Sequence, residues 1–174
     1  MPPEPRASCV FRDVVPEDFP LLTLWFSEPH VAAWWGAAET ELDAIARALS
    51  THEAQPTMAE REGQPVAYIQ IYDPHAKADH PYSDQPQGTL GIDMAIGPPE
   101  ETGKGHGTDI MRRLAEALFA KGTKRIVVDP HPDNSRAIRC YEKAGFRVID
   151  QRYSIFGPAH FMALDAQMEE TDTP

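Results

Sequence analysis

A glycine-rich segment between an apolar run and a strongly amphipathic helix pattern restricts the fold of this chain more than any other feature. Glycine lets main-chain N–H groups turn towards a ligand, because no Cβ blocks the approach. The first turn of the following helix adds the positive end of a helix dipole. A loop with these properties is typical of a diphosphate site in a domain that combines strands and helices. The segment consists of Thr102, Gly103, Lys104, Gly105, His106, Gly107 and Thr108.

Two common phosphate-binding motifs do not account well for this segment. A Walker A loop requires Ser or Thr directly after its Gly-Lys pair, whereas Lys104 is followed by Gly105. A dinucleotide fingerprint starts directly after its strand and ends in Gly or Ala, whereas residues 97–102 intervene here and Thr108 is the last position. Asp129 follows the next strand, about where a ribose-binding acid would lie, so dinucleotide binding remains an alternative. A flexible helix entry without a ligand is the other alternative.

Hydrophobic periodicity predicts a mixed α/β domain around one sheet. Thr40 is placed to cap the second long helix, and Gly157-Pro158 is placed to form the last turn. A polar loop with three prolines covers residues 73–88, and loops of this length are often functional. The predicted strands are 9–14, 57–61, 65–72, 89–96, 125–128, 146–155 and 160–164, and the predicted helices begin at Pro16, Thr40, Gly105 and Asn134.

The length of 174 residues suits one domain with its own core. We expect this domain at 8–168, after a flexible N-terminus at 1–7 and before an acidic tail at 169–174. No run approaches the roughly 18 apolar residues of a membrane helix, and the N-terminus lacks the apolar region of a secretory signal. Cys9 and Cys140 form no Cys-x-x-Cys pair. These features predict a cytoplasmic protein with reduced thiols, as a monomer or a homodimer.

The charge balance restricts the partners. A net charge of −11, from 27 acidic and 16 basic side chains, argues against a nucleic-acid partner, which requires a basic surface. It is compatible with a cationic small molecule, because an acidic cleft concentrates cations, and equally with a role in solubility alone. The seven histidines show none of the spacings typical of zinc sites, so we predict no metal.

A second motif lies at 129–146, in the last predicted helix and its flanks. Asn134 and Tyr141 are seven residues apart, so they lie on one face of that helix. With Ala137 and the pair Gly145-Phe146, they form the pattern Asn-x-x-Ala-x-x-x-Tyr-x-x-x-Gly-Phe. This pattern resembles the end of the core of GNAT acetyltransferases.

The glycine segment resembles the pyrophosphate loop of the same family. Gly105 and Gly107 match its two glycine positions, and Thr102 stands where the family usually has Arg or Gln. The resemblance implies the GNAT fold, a central and mostly antiparallel twisted sheet flanked by helices, with acetyl-CoA as the co-substrate. The residues that it places at the acetyl-CoA site are Met94, Ala95, Ile96, Thr102, Gly103, Lys104, Gly105, His106, Gly107, Thr108, Asp129, Asn134, Ala137 and Tyr141.

Tyr141 is the predicted general acid. Attack of an amine on a thioester expels a thiolate, whose conjugate acid has a pKa of about 8.5 if cysteine is a guide. A positioned phenol can protonate this leaving group, which is worth roughly 10²–10⁴ in rate. The alternative is that Tyr141 is only a core aromatic that packs the helix on the sheet. Cys140 is expected to be structural, because the neighbouring tyrosine matches the family and direct transfer needs no thiol.

Asp93 is the most informative acid on the acceptor side. It lies within the apolar strand 89–96, where a charge is costly unless it is paired or used. A primary amine with a pKa of about 10.4 is protonated at neutral pH, and a carboxylate can accept its proton or bind the ammonium. The alternative is a solvated acid at a strand end.

Within the GNAT family, the chain is similar to the aminoglycoside 6'-N-acetyltransferases. The similar pieces are 29–36, Gly91-Ile92-Asp93 with the glycine loop, and 136–146, and together the likeness spans most of 9–168. The resemblance implies a catalytic pair, Tyr141 and Asp93. It also implies acceptor-binding residues, with the 73–88 loop bordering the acceptor. These acceptor-binding residues are Trp34, Trp35, Tyr72, Asp79, Asp93 and Asp129. The alternative for Trp34 and Trp35 is that they are core aromatics without a role in binding.

The predicted function is direct transfer of acetyl from acetyl-CoA to a primary amine of a cationic small molecule, within one ternary complex. Siderophore-lysine acyltransferases share related pieces, so a lysine or hydroxylysine precursor of a siderophore is an alternative acceptor. A protein N-terminus is another. An acyl-CoA-binding module without catalysis is the alternative of a different class, and the presence of both Tyr141 and Asp93 argues against it.

Overall fold

The strands form one seven-stranded sheet in the order β1-β2-β3-β4-β5-β7-β6. Neighbouring strands are antiparallel except for β4 and β5, which run parallel. This arrangement confirms the predicted mixed α/β fold with a mostly antiparallel sheet. The strands are β1 (Cys9–Asp13), β2 (Gln55–Arg61), β3 (Gln64–Tyr72), β4 (Thr89–Ile96), β5 (Arg125–Val128), β6 (Arg147–Ser154) and β7 (Gly157–Asp165).

The computed structural model describes Met1 and residues 7–167. Most of the predicted N-terminal segment at 1–7 and the whole predicted tail at 169–174 therefore lie outside the described residues. None of the helices in the described part is long and apolar enough to cross a bilayer. The α-helices in this part are α1 (Phe19–Ser27), α2 (Pro29–Ala32), α3 (Ala38–Thr51), α4 (His106–Ala120) and α5 (Ser135–Lys143).

The helices cover the sheet on two faces, and the alternation of β3 shows how. Ile69 and Ile71 pack with Ile110 of α4 and Tyr141 of α5. Tyr68, on the opposite face of the same strand, packs with α1, α2 and α3 in a second cluster. Successive side chains of a strand point to opposite faces, so one strand contributes to both cores. We call the two sides the α4/α5 face and the α1–α3 face.

Two local predictions are wrong. Thr40 does not cap α3, because the helix begins two residues earlier, at Ala38. The Glu41 side chain accepts from Gly36 N at 3.0 Å, which gives the helix entry a hydrogen bond without Thr40. The last turn is formed by residues 155–156 rather than by Gly157-Pro158, because Ser154 and Gly157 already face each other across β6 and β7.

The parallel strands β4 and β5 separate soon after they begin. Their pairing covers only Thr89–Gly91 and Arg125–Val127, so the rest of β4 has a free edge on this side. Main-chain groups of successive residues point to opposite sides of a strand. Gly97 N donates to Val66 O of β3 at 3.0 Å, so Met94 and Ile96 direct their N–H and C=O groups towards the gap. We call this gap the splay.

Candidate active site

Two aspartates face each other across the splay. Gly91 lies opposite Val127 in the register of β4 and β5, and Asp93 and Asp129 each stand two residues further on. Both side chains are therefore on the α1–α3 face, and their carboxyl groups share a hydrogen bond. Two carboxylates this close cannot both ionise readily, because the second charge meets the first. We call Asp93 and Asp129 the acid pair.

The two members of the acid pair have different surroundings. Burial raises the pKa of Asp93 well above its usual range, and the charges of Asp129 and Glu41 add to this rise. Burial also raises the pKa of Asp129, but hydrogen bonds from Tyr82 and Asp93 oppose the rise. The pKa values of both carboxyls are therefore raised, and the Tyr82 hydrogen bond, at 2.6 Å, favours the ionised form of Asp129.

Three aromatic side chains border the acid pair: one was predicted as a site residue, and two belong to the loop that was expected to border the acceptor. Tyr72, at the end of β3, was predicted as a substrate residue. His80 and Tyr82 come from the 73–88 loop, with ring centroids 5.3 Å between Tyr72 and His80 and 5.4 Å between His80 and Tyr82. The Tyr82 hydroxyl donates to Oδ2 of Asp129 at 2.6 Å. No local pattern marks Tyr82, because its partner is 47 residues away in the chain.

Gly91 explains how Tyr72 reaches this position. The two residues lie opposite each other in β3 and β4. A Cβ added at Gly91 would lie 2.1 Å from the Tyr72 ring, which no side chain tolerates. The ring therefore crosses β4 above Gly91, and the glycine of the Gly91-Ile92-Asp93 segment serves packing next to the acid pair.

Tyr141 approaches the splay from the other side of the sheet. Its ring belongs to the core on the α4/α5 face, 5.8 Å from the Phe146 ring, so the packing role considered for it is real. Its hydroxyl has no hydrogen-bond partner among the described residues. It therefore keeps some solvent-accessible area, because every fully buried polar side-chain atom in this part of the chain has a partner. Burial raises the pKa of Tyr141 well above its usual range, so the phenol stays protonated at neutral pH.

The glycine loop leads into α4 with its main chain exposed. Gly105 precedes the helix with φ of 82°, in the left-handed region, and has open space around its Cα. Gly107 is different, because a Cβ there would lie 3.0 Å from Sγ of Cys140 in α5. Gly105 thus fits a ligand cradle, while Gly107 also permits close packing of α4 on α5. The two outer loop residues, Gly103 and Lys104, are exposed, and Thr108 at the helix start donates weakly to Cys140 O at 3.4 Å.

Three side chains of the loop have partners that the sequence did not reveal. The Thr102 hydroxyl donates to Pro99 O at 2.7 Å, so it turns away from the loop centre. His106 Nε2 lies 2.7 Å from a carboxylate oxygen of Glu101, and Lys104 Nζ lies 3.7 Å from the other. Glu101 therefore places an acid beside the two basic residues of the loop.

The free edge of β4 carries one contact from outside the sheet. His30 of α2 places Nε2 2.8 Å from Ile96 O. This carbonyl points into the splay, so His30 occupies the last acceptor on the free edge of β4. The N–H and C=O of Met94 and the N–H of Ile96 remain there, while Ala95 directs its main chain to β3. Sequence reasoning assigned no role to His30.

The family is shown by comparison with known proteins. Residues 14–153 match the acetyltransferase (GNAT) domain. The chain belongs to the GNAT acetyltransferase family. This confirms the predicted enzyme class. The acid pair, the glycine loop and Tyr141 all lie within the matched domain.

Named relatives share most of this GNAT domain. An aminoglycoside N(6')-acetyltransferase type 1 of Klebsiella pneumoniae is 32% identical over 172 residues, covering 94% of this chain and 86% of the relative. An N(6)-hydroxylysine O-acetyltransferase of Escherichia coli is 28% identical over 156 residues, covering 86% of this chain and 49% of the relative. The structure of AAC(6')-Ib in complex with ribostamycin and coenzyme A superposes with a TM-score of 0.84 at 33% identity, covering 95% and 98% of the two chains.

The other residues predicted for the acceptor site differ in their solvent exposure. Trp35 packs edge-on against Phe26 and Tyr68, 5.3 and 5.9 Å between ring centroids, which is a core role. Trp34 is 45% exposed and lies 5.5 Å from the His131 ring beyond β5, so it can border an acceptor. Asp79 is exposed in the 73–88 loop, and its charge acts on His80.

The helix that carries Tyr141 is capped by its own motif. Oδ1 of Asn134 accepts from Ala137 N at 3.2 Å, so both residues of the Asn-x-x-Ala pattern are used in the cap of α5. The cap leaves the amide nitrogen of Asn134 free for a ligand. In the described part of the chain, no group of three or more His, Cys, Asp or Glu side chains is arranged to hold a metal ion.

Proposed function

We propose that this protein transfers an acetyl group from acetyl-CoA to a primary amine of a cationic small molecule of the aminoglycoside type. The observation that carries the proposal is the acid pair on one side of the splay with the free hydroxyl of Tyr141 on the other. This arrangement supports a site for an ammonium group next to a proton donor for a leaving group. The similarity to aminoglycoside 6'-acetyltransferases supports the acceptor class.

The residues around the splay fit acetyl-CoA. The exposed main chain around Gly105 and the start of α4 would hold the diphosphate, because N–H groups there are free and a helix dipole points at them. The free main-chain groups of Met94 and Ile96 would pair with the amides of the pantetheine arm as a neighbouring strand does. Bound there, the co-substrate supplies the thioester that donates acetyl.

The acid pair would bind and deprotonate the acceptor amine. With one proton between them, Asp93 and Asp129 carry one negative charge, which matches one ammonium group. At neutral pH, freeing the lone pair of an amine with a pKa of about 10.4 costs about 4–5 kcal/mol. A carboxylate that receives this proton, directly or through water, provides the route. The neutral amine then forms a bond to the acetyl carbon.

Tyr141 would complete the transfer. One proton of the ammonium group has already passed to the acid pair. As the carbon–sulfur bond breaks, the phenol gives its proton to the departing thiolate, and the second proton, which leaves the nitrogen as the amide forms, would return to the Tyr141 oxygen directly or through water. The raised pKa of Tyr141 keeps the phenol proton in place until the thiolate forms. Cys140 takes no part, because its sulfur faces Thr108 and Gly107 rather than the acid pair.

An N-hydroxylated amine is a second candidate acceptor. The N(6)-hydroxylysine O-acetyltransferase relative favours it, since that protein is similar over most of this chain. Such an acceptor is less basic than a primary amine, so its reaction would depend less on proton removal by the acid pair. The two candidates therefore differ in how strongly the reaction depends on Asp129.

Acetyl-CoA turnover across a panel of acceptors tests the proposal. The panel holds aminoglycosides with a 6'-amino group, matched aminoglycosides with a hydroxyl group there, polyamines, lysine and N6-hydroxylysine. We expect turnover with the 6'-amino compounds and a loss of at least about tenfold in kcat/KM for Asp129→Asn. Asp43→Asn, an exposed aspartate of α3, is the matched control and should behave as the wild type. Turnover of N6-hydroxylysine alone would establish the second candidate, and binding of acetyl-CoA without any turnover would refute both.

A further inference from the structure

Tyr82 joins the 73–88 loop to the acid pair. It is 1% exposed, and its ring stacks on Phe161 of β7 with centroids 4.4 Å apart. Its hydroxyl donates to Oδ2 of Asp129 at 2.6 Å. A hydroxyl that donates to a carboxylate favours the ionised form of that carboxylate.

The loop around Tyr82 is fixed from two sides. Arg152 of β6 bonds both oxygens of Asp84, at 2.9 and 2.7 Å, and its Nη1 bonds Pro81 O at 3.2 Å. The same guanidinium lies 4.3 Å from the centroid of the Phe161 ring. Residues on both sides of Tyr82 are therefore anchored to the sheet. The hydroxyl is held at Asp129 rather than carried there by a mobile loop.

Within residues 7–167, no lysine or arginine forms an ion pair with either member of the acid pair. Asp129 meets Tyr82 and His80 from the loop and Asp93 from β4, and Tyr72 of β3 and Tyr141 of α5 lie near both carboxyls. His80 Nδ1 accepts from Tyr82 N at 3.1 Å, which a neutral imidazole does. Asp93 has Asp129 as its hydrogen-bond partner and Glu41 as a further acid nearby. Hydrogen-bond donors thus converge on Asp129 alone.

We propose that Tyr82 is a positioning residue that makes Asp129, and not Asp93, the ionised carboxylate that receives the ammonium group of the acceptor. This rests on the proposed function, because it specifies which acid of the acceptor site is charged. Asp93 then holds the proton between the carboxyls and keeps Asp129 in place. The substrate class that follows is a primary ammonium that approaches from the loop face, between Asp129 and the aromatic rings.

Tyr82→Phe tests the proposal, because it removes the hydroxyl and keeps the ring that stacks on Phe161. We expect the acid limb of the pH profile of kcat/KM to move up by about one pH unit, since the lost hydrogen bond raises the pKa of Asp129. At pH values below this limb, kcat/KM of the variant is about tenfold lower than that of the wild type, because its KM for the acceptor is higher. At alkaline pH the kcat stays near the wild-type value. A purely structural role would lower activity at every pH alike.

Tyr153→Phe is the matched control, because Tyr153 is 85% exposed and loses only a surface hydroxyl. If Tyr82→Phe does not fold, Asp84→Asn loosens the loop through Arg152 and leaves Tyr82 intact, and we expect a smaller shift of the limb in the same direction. An acid limb in the wild-type position for the folded Tyr82 variant, or for the Asp84 variant in its place, would overturn the proposal.

A second readout separates this proposal from the proposed function. The carboxyl carbon signals of Asp93 and Asp129 can be titrated by NMR with no acceptor present. We expect Asp129 to titrate below Asp93 in the wild type, and about one pH unit higher in Tyr82→Phe than in the wild type. If the wild type acetylates none of the acceptors, the proposed function is refuted, and the titration alone then tests whether Asp129 is the ionised carboxylate. Titration of Asp129 above Asp93 in the wild type would overturn the assignment even in an active enzyme.

Discussion

Replacing Asp93 by asparagine should stabilise the folded protein increasingly as the pH rises, although it removes a group from the active site. The pKa of Asp93 is raised above its ordinary value by burial and by Asp129. The folded chain therefore keeps the Asp93 proton at pH values at which the unfolded chain has lost it. Stability of the wild type falls as the pH rises through this range, because folding then requires uptake of a proton. Asparagine keeps the shape, can donate to Asp129, and has no proton to take up.

The size of the effect follows from one proton per molecule. The difference between the variant and the wild type grows by about 1.4 kcal/mol per pH unit, from about pH 4 up to the pKa of Asp93 in the folded chain. Two pH units give about 2.7 kcal/mol, or about 5–10 °C in Tm for a chain of this length. Above the folded pKa the difference stays constant.

Thermal unfolding in a pH series measures this difference, and the pH at which it levels off gives the folded pKa. Asp43→Asn, the exposed aspartate of α3, is the control and should show a Tm difference that hardly varies with pH. A Tm difference for Asp93→Asn that is the same at about pH 4 and about pH 7 would refute the reasoning. So would a variant that loses stability relative to the wild type as the pH rises.

Further predictions concern the cofactor side of the splay. Tyr141→Phe should fold and bind acetyl-CoA while kcat falls by roughly 10²–10⁴ in steady-state assays, and a loss below about threefold would exclude it as the acid. Gly105→Val should lose the stabilisation by acetyl-CoA seen in thermal shift, about 2.7 kcal/mol at 100 times its Kd. Gly107→Val should lose it too and should also lower the Tm of the free protein, because its Cβ meets Cys140. His30→Gln should change KM for acetyl-CoA by about 2–10-fold with kcat nearly constant, and wild-type kinetics would exclude a role for the His30–Ile96 contact.

Much of the fold could be predicted because the signals are local. The strand β4 was predicted with its observed bounds, since Gly88 precedes it by one residue and Pro98-Pro99 follow it closely. The helix α4 begins one residue after the predicted start, at His106. The two wrong predictions concern the cap at Thr40 and the turn at Gly157-Pro158, and in both cases other residues take the predicted role. Glu41 supplies the hydrogen bond at the helix entry, and the strand register decides the turn.

The cofactor half of the site was also local in sequence. The glycine loop and the Asn134–Tyr141 helix each lie in one short segment, and both are defined by spacing along the chain. Their roles depend on backbone geometry and on one helix face, which periodicity predicts. The structure adds what spacing does not contain, such as the turn of Thr102 towards Pro99 and the acid Glu101 beside the loop.

The acceptor half depends on register, and no single sequence contains the register of strands that are far apart. Asp93 and Asp129 were both named as acceptor residues, but their hydrogen bond follows from the pairing of Gly91 with Val127. Tyr82 enters through a loop fixed by Arg152, 70 residues further along the chain. Such groups become candidates only when the sheet order is known.

The splay also explains why the proposed chemistry is divided between two faces of one sheet. A continuous sheet would separate Tyr141, on the α4/α5 face, from the acid pair, on the α1–α3 face. Because β4 and β5 part after Gly91 and Val127, both sets of groups reach the same opening. The amine of the proposed acceptor would then contact the acid pair on the α1–α3 face, and the leaving thiolate would contact the Tyr141 phenol on the α4/α5 face. In the proposed mechanism, proton removal and proton donation would occur on separate groups, so direct transfer would require no nucleophilic side chain between them. We expect the acceptor specificity of such a site to depend on the loop face, where Tyr72, His80 and Tyr82 lie near Asp129.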